Sequence, residues 1–187
     1  MEKNFLAFLE FFLKATEKIE EVYMQLPVAG KEDPIYRERV YCYELYHRLR
    51  NEMTSRDNFP YMLCGELDKR GHPYMRGNEL DKVKPDLLVH VPGDMGKNLV
   101  AIEVKAINNA NRDGIKKDLT CLTAFRSKGN YKNAIYLIYG NEHINFKNFV
   151  DKALILAEDQ GNKIDLDLIN LYWHRPGSEA KKKEWKT

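Results

Sequence analysis

Residues 99–107 read LVAIEVKAI, and this stretch decides the fold. It is the most β-rich run in the chain and too apolar for the edge of a sheet, so it predicts a buried strand. Two charges interrupt it. Strand side chains alternate with period two, so Glu103 and Lys105 share one face, while Ile102, Val104 and Ala106 share the other. An unpaired buried charge is costly, so Glu103 and Lys105 need partners or a metal ion.

Just upstream, Pro85–Val91 (PDLLVHV) reads as a second strand, ended by Pro92–Gly93 and opened by another acid, Asp86. Tyr61–Leu67 is a shorter strand before it. Downstream, Ile115, Leu119, Leu122 and Phe125 recur at helical spacing and predict a helix over Asp113–Ser127. A buried strand follows at Ala134–Tyr139, then a helix over Phe146–Gln160 stopped by Gly161, then a strand over Leu166–Trp173. At the front, apolar spacing predicts one helix from Lys3 to about Leu26. After a linker at Pro27–Glu32, Asp33–Pro34 reads as an N-cap and first helical position, starting a helix that runs to about Met53. The order is helix, helix, three strands, helix, strand, helix, strand. It predicts an α/β domain with a mixed central sheet flanked by helices. The domain spans residues 1–176, with its core at about 34–139. Gly177–Thr187, with Lys181, Lys182, Lys183 and Lys186, reads as a mobile basic tail.

Composition narrows the function classes. The chain has 187 residues, 43% of them hydrophobic and 31% charged, which suits one globular domain with a sizeable core. Thirty basic residues against 28 acidic give a net charge of +2, so any basic surface must be local. Cys42, Cys64 and Cys121 have no CxxC or Cys/His spacing, which argues against a zinc site or a disulfide framework and fits a cytoplasmic setting. No apolar run is long enough to span a membrane. The apolar segment FLAFLEFFLKA is interrupted by Glu10 and followed by no cleavage site, so it reads as a helix for the core or for a homodimer interface rather than a signal peptide.

The acids inside the strands point to metal chemistry. If the two strands are neighbours, Asp86, Glu103 and Lys105 converge. Hard cations such as Mg²⁺ take carboxylate and carbonyl oxygens and keep several waters, so Asp86, Glu103 and the Val104 backbone carbonyl form a plausible ligand set. Such an ion polarises a phosphate and activates water, and Lys105 beside it would orient that water or stabilise the negative transition state. Glu44 sits within YCYELY, on a helix face with Val40, Tyr41, His47 and Arg48, and is expected to point at the same site, unlike the solvated Glu38 and Glu52.

PD, sixteen intervening residues, then EVK resembles the signature of the PD-(D/E)XK nuclease superfamily, the restriction-endonuclease-like fold. The resemblance covers about Pro34–Tyr139, including the helix with Glu44, and leaves an extra N-terminal helix and a C-terminal helix–strand as additions. It implies cleavage of nucleic-acid phosphodiesters, with Mg²⁺ or Mn²⁺ as cofactor and Asp86, Glu103 and Lys105 as the matched triad. DNA is the expected substrate, in defence or repair. The alternative is an inactive relative that binds nucleic acid or protein. A nucleotide phosphohydrolase is a third class, disfavoured by the absence of a GxxxxGK loop.

Other residues carry weaker expectations. Six basic residues lie between Arg112 and Lys132 against two acids, so Arg112, Lys116 and Lys117 are candidates for tracking a phosphate backbone. His90 shares the strand face of Asp86, although a packing role is the more ordinary reading. Glu66 is either a further ligand or a strand-end acid. Asp68, Glu79 and Asp81 fall in a loop and are expected to be solvated.

Overall fold

The computed structural model describes residues 2–56, 58–66, 84–141 and 143–186. Asp68, Glu79, Asp81 and the end of the first predicted strand, Leu67, lie outside them. The chain runs α1 (Glu2–Glu17), α2 (Glu21–Met24), β1 (Gln25–Leu26), β2 (Ile35–Tyr36), α3 (Glu38–Thr54), β3 (Met62–Gly65), β4 (Leu87–His90), β5 (Asn98–Ala106), α4 (Arg112–Ser127), β6 (Asn133–Tyr139), α5 (His143–Gln160), β7 (Ile169–His174) and β8 (Lys181–Lys183).

Strands β3 to β8 form one mixed sheet in sequence order. β3, β4 and β5 are an antiparallel meander. β5, β6 and β7 are parallel, joined by crossovers through α4 and α5, and β8 returns antiparallel along β7. The LVAIEVKAI strand is therefore flanked on both sides, by β4 and by β6. One sheet face, with Val100, Ile102, Val104, Leu137 and Tyr139, packs under α1 and α3. The opposite face, with Ala101, Tyr136, Ile138 and Trp173, packs under α4 and α5.

The strand expected over Leu166–Trp173 begins at Ile169, because Leu166–Leu168 forms a 3-10 turn capped by Asp165. Three further stretches differ from the sequence expectations. The first helix ends at Glu17. Extending it would stack Glu17 on Glu20 and Glu21 one turn apart, a like-charge arrangement that destabilises helices; Glu20 instead reaches the Arg48 guanidinium at 3.2 Å. The second helix begins at Glu38 rather than Pro34, because Ile35–Tyr36 stays extended and pairs with Gln25–Leu26. Finally, the basic end carries β8 rather than hanging free. Gly177, at φ +68, turns the chain back. Ala180 is buried, and its N–H donates to Thr16 Oγ1 at 3.0 Å. The apolar side of α1 is spent inside the chain, where Phe8, Phe11 and Phe12 are buried. Among the described residues, no helix is long and apolar enough to cross a membrane.

Candidate functional site

Asp86 and Glu103 meet where β4 enters the sheet. Extending the register Leu87↔Ile102 by one step sets Asp86 opposite Glu103. Both point to the α4 side, close enough for each charge to act on the other. The paired stretch of β4 begins at Leu87, two residues after Pro85, which has no N–H to give to a ladder. The Val104 N–H is taken by Asp86 Oδ2 at 2.7 Å, so the Asp86 carboxylate stands against the backbone of β5.

Electrostatics follow from burial. Glu103 is 6% exposed. Burial pushes its carboxyl well above the usual range, and the nearby Asp86 and Asp118 charges push it further. Burial also raises Asp86, to about 6, against the lowering effect of the Val104 N–H. Each carboxyl thus holds its proton to a higher pH than an exposed acid would. Lys105 balances the cluster. Burial pulls its ammonium down, but Asp118 Oδ2 at 3.0 Å and Glu38 Oε2 at 3.2 Å outweigh this and hold it above its ordinary value.

Asp118 and Glu38 are the residues the sequence reading missed. Asp118 is 3% exposed and also accepts the Tyr136 hydroxyl at 2.9 Å. Its position is what buries it: three residues after Ile115 and four before Leu122, it lies on the buried stripe of α4. Close approach of α4 is helped by Gly114, where a Cβ would stand 3.2 Å from Asn111 Oδ1 and 3.9 Å from Lys105 Nζ. Glu38, expected to be solvated, sits in the first turn of α3 and reaches Lys105.

Glu44 does not join them. It is buried on α3, but its partner is Arg48 one turn on, at 2.5 Å, with Glu20 on the far side of that guanidinium. The tyrosines around it marked a buried helix face, and the i,i+4 arginine supplied its counter-charge. His90 shares the Asp86 face but lies four residues along, about 13 Å away at strand rise, beside Cys64 Sγ and Tyr131. Glu66 follows β3 and faces Arg39 at 3.5 Å. Lys116 and Lys117 are exposed on α4, and the Arg112 guanidinium is engaged by Asp159 at 2.5 Å.

A cleft of about 600 Å³ opens onto Asp86 between α3 and the β3–β4 edge, lined in part by Glu38, Arg39, Tyr43, Tyr46 and Glu66. Among the described residues, no three His, Cys, Asp or Glu side chains are clustered to hold a metal ion. Two carboxylates and one carbonyl oxygen still suit Mg²⁺, which binds through one or two carboxylates and keeps its waters. No protein-family model matches the chain, and no curated protein or solved structure is found to resemble it.

Proposed function

We propose that this protein is a metal-dependent nuclease of the PD-(D/E)XK type that hydrolyses phosphodiester bonds in DNA. One observation carries the reading: Asp86 and Glu103 lie side by side in the sheet, with a charged lysine on the same strand and a cleft opening on Asp86. The order of helix, three-strand meander, helix and parallel strand supports the restriction-endonuclease-like assignment.

Asp86, Glu103 and the Val104 carbonyl would hold Mg²⁺ or Mn²⁺, which supplies charge neutralisation and a more acidic bound water. The chain's own residues do the rest. Lys105 stays protonated between Asp118 and Glu38, so it acts as a fixed cation toward charge developing on the phosphate rather than as a base. Asp118 and Glu38 set the direction of that ammonium. Tyr136 donates to Asp118 Oδ2, the same oxygen that faces Lys105, and so fixes it in place. Burial of Glu103 keeps water from screening the cluster.

The test is Mg²⁺- or Mn²⁺-dependent degradation of plasmid, single-stranded DNA and RNA, with a chelator control. Asp86→Ala and Glu103→Ala are expected to abolish cleavage while retaining the wild-type circular dichroism spectrum. Lys105→Ala should slow turnover more than it weakens Mn²⁺ binding by calorimetry, because lysine is not a ligand. A wild-type protein that cleaves none of these under either metal would overturn the reading.

A further inference from the structure

The basic end of the chain builds a second polar feature on the sheet rim that carries the carboxylates. In-register pairing sets Lys105, Ile138, Trp173 and Lys181 in one row across β5 to β8, on the face under α4 and α5. At about 4.8 Å per strand, Trp173 stands about 10 Å and Lys181 about 14 Å from Lys105. The β7–β8 turn rises from the same end of the sheet as the segment after Ala106, because β5 and β7 are parallel.

A pocket of about 360 Å³ lies there, lined by Trp173, Arg175, Pro176, Ser178, Lys181 and Lys183. It contains three cations, and no described carboxylate lines it. Its floor is rigid. The Trp173 indole is 5% exposed, stacks on Phe146 at 4.3 Å and 11°, and donates from Nε1 to the Gly140 carbonyl at 3.0 Å. The Arg175 guanidinium and the Lys183 ammonium stand over the ring at 5.6 and 5.5 Å, and Asn141 accepts from Arg175 Nε at 3.2 Å. Cations gathered over a fixed aromatic floor form a seat for a polyanion.

We infer that this pocket seats the backbone phosphates of the nucleic-acid strand whose scissile bond lies at Asp86 and Glu103; the inference rests on the proposed nuclease reading. From Glu103, two residues back along β5 from Lys105, the backbone of Trp173 is about 12 Å and that of Lys181 about 16 Å away, which at about 3.4 Å of rise per nucleotide in a duplex strand corresponds to about three to five nucleotides. Contacts of this kind read charge rather than base identity, so they position the strand without selecting sequence.

The test separates binding from cleavage. Fluorescence anisotropy of a labelled 12-nucleotide strand and its duplex is measured in chelator across a salt series, with wild type, Arg175→Ala, Lys181→Ala and Lys183→Ala. Lys182→Ala is the control, since it pairs with Tyr172 and turns to the other sheet face. Each pocket variant should lower the slope of log K against log salt by about one unit, and Lys182→Ala should lower it by clearly less. A strand too short to span four nucleotides should lose the difference between wild type and the pocket variants. Equal slopes for the pocket variants and Lys182→Ala, in proteins of unchanged melting temperature, would overturn the inference. So would wild type binding anionic phosphatidylglycerol vesicles but not oligonucleotide. Cleavage with equal slopes would leave the nuclease reading standing and remove the pocket. Pocket-dependent binding without cleavage under any metal would do the reverse.

Discussion

The two faces of β5 have the same strand geometry and opposite chemistry. Under α1 and α3, Val100, Ile102 and Val104 are buried among aliphatic and aromatic side chains, and the strand itself puts no charge on that face. Under α4, Glu103 and Lys105 are held almost as deep, and that layer tolerates them only because Asp118 and Glu38 supply counter-charges and Tyr136 and Val104 supply donors. The apolar face fixes where the strand lies. The charged face keeps two carboxyl groups that burial raises, so holding them ionised costs more there than in water.

Four substitutions break or sharpen this contrast. The largest effect is expected on the apolar face: Ile102→Ala leaves a cavity and should cost about 2–5 kcal/mol in denaturant unfolding, with Mn²⁺ affinity unchanged in the protein that remains folded. Asp118→Asn removes one of the two counter-charges of Lys105 and should cost about 1–3 kcal/mol, with turnover falling more than metal affinity. Of similar size, and opposite in sign, is Asp86→Asn. Between about pH 4 and 6, folded Asp86 binds a proton that the unfolded chain has already released. Wild-type stability therefore falls through that window and stays lowered above it. The asparagine variant has no such proton to lose and should be more stable at pH 7 by about 1–3 kcal/mol without metal, with the difference gone below pH 4. Glu103, Lys105 and Asp118 surround the position, and relief of Glu103 adds to the gain. The smallest effect belongs to Glu44→Gln, which breaks only the Arg48 pair and should cost about 1 kcal/mol or less, with the cleavage rate unchanged.

Much of the fold was legible because the strands announce themselves by composition. LVAIEVKAI and AIYLIY are bounded by turn residues, and each appears within about one residue of its expected span. The site was legible where charge stood against its surroundings, as at Asp86, Glu103 and Lys105. It was illegible where a charge looked ordinary. Asp118 follows two lysines and passes for part of a solvated helix face, and Glu38 is an acid in a first turn, where acids are common for dipole reasons. Glu44 erred the other way: an unusual seat among tyrosines suggested chemistry, whereas Arg48 one turn later was enough to satisfy it. The lysine run hid β8, although Pro176–Gly177 between two extended stretches was a hairpin signal.

The hydrogen bond from the Ala180 N–H to Thr16 Oγ1 joins residues 164 positions apart, and Phe12 lies edge-on to Tyr172 at 5.3 Å in the same layer. Contacts of such sequence separation close late and slow folding. Helix α1 can settle early against α3, with Phe11 edge-on to Phe59 at 5.2 Å, but the side of its seat made by Tyr172 and Ala180 forms only once β7 and β8 have paired. Until then Phe12 lacks part of its cover, and that apolar face is one a chaperone can hold.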